Sequence, residues 1–238
     1  MSSPPIKVAK PVPQRDLLGH LILVAPVFLF YHLGLLFSPQ AANGADIVSW
    51  TMGYLAGVDV LVYLLVLLGL CVGYVLWLRA LRKKRKFRPG RFPQVVAEGV
   101  LYALVMGPLA SLLVSQLPFL RAPALSMGPF DRLVASAGAG FYEELIFRLA
   151  GIWLLLQLGR TWKISKWLST AVAITGTSLL FSLVHYLGPG GESFALVSFS
   201  FRFILGSFLA AIYLWRGFAQ AVYAHFLYDV YVMCVLMP

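Results

Sequence analysis

The chain has 238 residues, of which 60% are hydrophobic and 12% charged. A water-soluble domain of that length needs far more polar surface, so the composition excludes one and points to an all-α, polytopic membrane protein. The net charge of +10 raises the question of nucleic acid, but the bases cluster as membrane topology requires, and no nucleic-acid partner is expected.

Residues 1–16, with four prolines and the bases Lys7, Lys10 and Arg15, read as a disordered cytoplasmic tail. Crossing a bilayer takes about 20 mostly apolar residues. Runs of that kind occur at 17–37, 58–78, 95–117, 133–156, 167–187, 194–215 and 218–237. The first is too long for an ordinary signal peptide and reads as a retained span, although "AANGA" behind it is faintly cleavage-like. The apolar stretch 47–56 either extends the second span or lies at the interface.

Eight bases lie in "RALRKKRKFRPGR" (79–91), between the second and third spans. With the N-terminus inside, these fall on the cytoplasmic side together with the tail bases, Arg160, Lys163, Lys166 and Arg216. Only Arg121 and Arg132 fall outside. That asymmetry predicts an N-in, C-out protein of about seven transmembrane helices; the expected location is the plasma (inner) membrane of a bacterium. It also makes the basic run a topology and lipid-headgroup determinant. Cys71 and Cys234 lie within spans without a partner at motif spacing and read as packing residues.

A charged residue at mid-span costs about 2.5–3.5 kcal/mol on insertion scales and persists where it pairs, lines water or does chemistry. The in-span inventory is His20, His32, Asp59, Glu98, Glu143, Glu144, Arg148, His185, Arg202, His225 and Asp229. Asp59 and Glu98 open their spans and His20 lies near the start of its own, so these read as interfacial or capping groups; His32 is open. The last four spans differ. In "FYEELIFR", Glu144 and Arg148 stand four apart and share a helix face, while Glu143 points about 100° away and lacks that partner. His185 ends "FSLVH", and His225 and Asp229 in "HFLYD" are again four apart. Two histidines and a free glutamate suit general acid–base chemistry or a metal site, and a proton-coupled transporter places similar groups at mid-membrane. Residue types and spacing weigh hydrolase and transporter alike.

"EELIFR", "FSLVH" and "HFLYD", in that order on successive apolar segments, resemble the motifs of the CPBP family of intramembrane proteases, which includes type II CAAX prenyl endopeptidases and bacterial Abi-type proteins. The resemblance covers about 94–238. It implies a protease core there, behind two N-terminal spans and a basic loop at 17–93, with a catalytic cavity within the last four helices. It further implies that Glu143 and His185 polarise the attacking water, that His225 and residue 229 stabilise the oxyanion, and that Glu144 and Arg148 hold the motif in place.

The prenyl proteases typically carry Asn at the last motif position, where this chain has Asp229. An ionised Asp cannot donate to an oxyanion. Protonation, help in holding a metal, or orientation of His225 are the alternatives, and orientation of His225 is the one expected. Whether a divalent metal such as zinc takes part stays open, its candidate ligands being Glu143, His185 and His225. Arg202, the remaining deep charge, is expected to snorkel outward or pair with Asp229 or Glu143, or to contact substrate. Span polarity puts the site in the outer half of the bilayer beneath "GPGGES" (188–193). The expected substrate is therefore a membrane-associated protein or peptide on the exported side, cut at a C-terminal tail or sorting signal as in the myxosortase group. A proton-coupled transporter and a catalytically silent scaffold or immunity protein are the competing readings.

Overall fold

The computed structural model describes residues 17–46, 48–49, 60–82, 90–114, 127–187 and 191–236. The expected tail at 1–16, Asp59, Arg121, the basic residues at 83–89 and the turn at 188–190 lie outside them. All regular structure among the described residues is helical. The elements are α1 (Leu17–Gly34), a 3₁₀ turn (Pro39–Ala41), α2 (Val60–Arg82), α3 (Arg91–Val114), α4 (Pro129–Gly138), a π-helix π1 (Ala139–Ile152), α5 (Trp153–Thr161), α6 (Lys166–Val184), α7 (Leu196–Arg216), α8 (Phe218–Val230) and a second π segment π2 (Tyr231–Leu236).

Five of these, α1, α2, α3, α6 and α7, are each long and apolar enough to cross a membrane. The fourth and seventh expected spans are built differently. The backbone stays helical through the joins at Gly138, Ala139, Ile152 and Trp153, so α4, π1 and α5 form one continuous rod whose middle is π-wound. In the same way α8 runs on into π2 through Tyr231. A π segment hydrogen-bonds i→i+5 rather than i→i+4 and frequently occurs at functional sites. Here it carries both glutamates and Arg148, so within the span expected at 133–156 the α-helical geometry is corrected to a wider turn over Ala139–Ile152 only.

Local chemistry sets several ends. Pro129 opens α4 at a position where a missing N–H costs nothing. Asp131 accepts from the Gly128 N–H at 3.3 Å and also takes the Ser38 hydroxyl, tying the loop after α1 to this helix start. Ser165 caps α6 by accepting from Leu168 N at 3.3 Å. Between α7 and α8 the chain turns on Gly217 alone, at φ 109°, a left-handed conformation that glycine adopts at least cost. The imidazole of His20 sits against that turn and accepts from Ala219 N at 3.3 Å, satisfying one of the orphan donors at the start of α8.

α8 is the centre of the bundle. It packs against α1, α3, α4, π1 and α7, and every side chain from Phe218 to His225 is buried. α2 is the opposite case, with only 6% of its apolar window buried, which leaves Leu61, Leu65, Leu68 and Leu76 facing outward as a lipid-exposed helix does. Lipid tails are as apolar as leucine, so close packing and polar contacts, rather than water exclusion, decide which helices meet. Gly140 shows this directly. A Cβ there would lie 2.7 Å from Phe226 Cβ and 2.9 Å from the Phe226 backbone nitrogen, so only glycine lets π1 approach α8 this closely.

Candidate active site

The close approach at Gly140 brings π1 and α8 together one residue from His225. The Glu144 carboxylate, fully buried, forms an ion pair with Arg148 Nη1 at 2.9 Å, as the four-residue spacing predicts. The same oxygen, Oε1, lies 2.8 Å from His225 Nδ1, and since an ionised carboxylate only accepts, Nδ1 is the donor. Arg148 reaches further. Its Nη2 donates to the Gly206 carbonyl on α7 at 3.2 Å, and its guanidinium stands 4.5 Å above the Phe181 ring on α6. One arginine and one glutamate thereby join π1, α6, α7 and α8.

Phe181 is the hub that residue spacing did not single out. Its ring lies 5.2 Å from the His185 ring, 5.8 Å from that of His225 and 5.6 Å from Phe147, each near edge-to-face. The signal was present in "FSLVH", where Phe181 stands four residues before His185 on the same helix face.

The two histidines are held differently. α6 ends at Val184, so His185 sits at its C-terminal boundary rather than inside a helix running to 187. Its Nδ1 donates to the Phe181 carbonyl at 2.8 Å, which fixes the tautomer and leaves Nε2 as the ring's acceptor. His225 is turned by Glu144. Asp229, expected to orient that ring, stands with Oδ2 3.5 Å from Nε2, an ion-pair contact at the other ring nitrogen that is longer than the Glu144 bond. The hydrogen bond that sets the ring belongs to Glu144.

Glu143 diverges from its neighbour and is half-buried. It accepts from Asn43 Nδ2 at 2.9 Å, a residue in the loop after α1. Its charge acts on His185, His225 and Asp229 alike, and His185 and His225 act on one another. These four groups, from π1, the end of α6 and α8, therefore share one electrostatic neighbourhood.

Arg202 is engaged elsewhere. It pairs with Glu192 at 2.5 Å and donates to Ser198 at 2.8 Å and to the Tyr186 hydroxyl at 3.3 Å. The expected pairing with Asp229 or Glu143 is thus replaced by one with the loop that follows His185, whose backbone Glu192 closes by donating its N–H to the His185 carbonyl at 3.0 Å. Glu98, read as interfacial, pairs with Arg216 and accepts from Gln220 at 3.2 Å.

No group of three or more His, Cys, Asp or Glu among the described residues is gathered to hold a metal ion. Glu143, His185 and His225 are not gathered closely enough to act as three ligands of one ion. The described residues do not fit a metal centre.

A second polar cluster adjoins the first. The His32 ring, fully buried, bridges the Tyr63 hydroxyl at 2.6 Å and the Tyr142 hydroxyl at 2.7 Å, and Tyr31 donates to Asp46 at 2.9 Å. His32 is therefore a core residue that ties α1 and α2 to π1 through Tyr142, the residue before Glu143.

A helical bundle of this kind, spanning a membrane and burying a charged cluster between its last helices, defines a polytopic integral membrane protein. Residues 124–231 match the family described as type II CAAX prenyl endopeptidase Rce1-like, so that segment is similar to CPBP-family proteins. The match spans all three motifs. It associates the chain with CAAX-type intramembrane endopeptidases in general. No curated protein and no solved structure matches the chain significantly.

Proposed function

We propose that the chain is an intramembrane endopeptidase that hydrolyses a peptide bond in a membrane-associated protein by an activated-water mechanism. The observation that carries this reading is the convergence of the His185 and His225 rings on Phe181 beside π1, which carries Glu143, within the segment that matches a protease family. Water held between Glu143 and His185 Nε2 attacks the scissile carbonyl carbon. Glu143 takes the water proton and passes it to the leaving amine. His225, with Nδ1 tied to Glu144, presents its Nε2 edge to the developing oxyanion, and a protonated ring donates there. Glu144 and Arg148 keep the ring and three helices in register.

The charge asymmetry supports an N-terminus on the cytoplasmic side of the membrane, which we place in a bacterial cell envelope. The substrate that fits an outward-facing site is an exported, membrane-tethered protein carrying a C-terminal tail. Comparison of membrane proteomes from wild-type and Glu143→Ala cells tests the reading. An uncut precursor should accumulate in the variant, and in His185→Ala and His225→Ala cells, with each protein still membrane-inserted. A Glu143→Ala strain with normal processing removes the mechanism.

A further inference from the structure

We propose that Asn43, from the N-terminal part of the chain outside the matched segment, is a positioning residue for the Glu143 carboxylate. The inference rests on the protease reading and adds a residue to it. Asn43 donates Nδ2 to Glu143 Oε1 at 2.9 Å, and it is the hydrogen-bond partner Glu143 has among the described residues. The amide cannot be turned the other way. Its Oδ1 accepts from Ala45 N at 2.8 Å, so Nδ2 is the end that faces the carboxylate.

The loop that carries it is itself tied down. Asn43 N donates to the Tyr31 hydroxyl at 2.9 Å, Tyr31 donates to Asp46 at 2.9 Å, and Asp46 accepts from Ser49 N at 3.0 Å. Tyr31 and Asp46 are buried, at 0% and 1% exposure, which makes this a fixed mount rather than a surface contact. The residue next to Glu143 is clamped from the same side, through the Tyr142 hydroxyl on His32. The π1 backbone and the Glu143 side chain are thus each located by the N-terminal helices.

The chemistry of the partner matters. Glu144 is held by a cation and a histidine, which suits a carboxylate that must stay ionised and still. Glu143 is held by a neutral amide at one oxygen, which fixes its orientation without cancelling its charge. The second oxygen keeps its capacity to accept a proton from water. A base that must turn over needs that kind of support.

The test uses the full-length protein in its own membranes. Strains carrying Glu143→Ala, Asn43→Ala, Asn43→Asp and Asn43→Gln are compared for precursor accumulation, and the precursor from the Glu143→Ala strain is then the probe for kinetics in proteoliposomes. Asn43→Ala should lower kcat about 10-fold or more, the loss expected for a hydrogen bond to a charged group, with KM within twofold and an unchanged unfolding midpoint in detergent. Asn43→Asp sets a second carboxylate against Glu143 and should move the acid limb of the pH–rate profile toward alkaline pH, an effect a merely structural residue does not produce. Asn43→Gln should recover part of kcat. Accumulation in Glu143→Ala cells with wild-type kcat and pH profile in Asn43→Ala and Asn43→Asp overturns the positioning role and leaves the protease reading standing. Absence of accumulation in Glu143→Ala cells sinks the protease reading itself.

Discussion

Gly140→Ala is the substitution whose effect the structure sizes most directly. The added methyl would meet Phe226 Cβ at 2.7 Å and the Phe226 backbone at 2.9 Å. Carbon atoms rest at about 3.5–4.0 Å, so the two helices must part by roughly 0.8 Å or more. The backbone on both sides leaves no flexible side chain to absorb the shift. Carried to the next residue, that movement takes the His225–Glu144 contact from 2.8 Å to about 3.6 Å, which is no longer a hydrogen bond. Overpacking of this kind costs about 1–3 kcal/mol in stability. A misplacement near 1 Å at a reacting group costs about 100-fold in rate.

The assay is precursor cleavage in proteoliposomes alongside thermal unfolding in detergent. Gly140→Ala should lose about 100-fold in kcat while remaining folded. Gly69→Ala, on the lipid-facing α2 where nothing lies within 4 Å, is the matched control and should leave both readouts unchanged. Wild-type turnover from Gly140→Ala would refute the claim that close approach of π1 and α8 sets the His225 ring.

Arg148→Ala strands a fully buried carboxylate, at about 3–5 kcal/mol for a broken buried pair, and also frees the Gly206 carbonyl and the Phe181 face. Loss of folded protein in detergent is expected, whereas Arg148→Ala together with Glu144→Leu should recover much of the midpoint; no recovery would argue against the pair as the cause. Glu192→Gln loosens an ion pair that is partly exposed on both sides and should change stability by less than about 1 kcal/mol, as read by the unfolding midpoint. Single cysteines at Glu192 and Arg216, in a chain freed of Cys71 and Cys234, should label from opposite faces of intact cells, Glu192 from outside. Outside labelling at Arg216 would invert the proposed orientation.

Much was legible from residues alone. Composition and run length announce a helical membrane protein, because a bilayer allows few ways to satisfy a spanning backbone. The Glu144–Arg148 pair and the divergence of Glu143 follow from local helix geometry, which spacing encodes even though the segment turned out to be π-wound. The order of the three motifs marks the segment of the chain that the family match later spans. Contacts between distant segments were not legible in this way. Asn43 meets Glu143 across 100 residues, and Glu144 holds His225 Nδ1 across 81. Arg202 turned to Glu192 instead of the buried acids, because the loop after His185 brings a carboxylate to it. Periodicity reports which face of one helix a residue occupies. Which carboxylate each donor finds is set by how closely the helices approach one another, and that distance is decided by features such as Gly140 and the Tyr31–Asp46 mount, whose partners exist only once the bundle has formed.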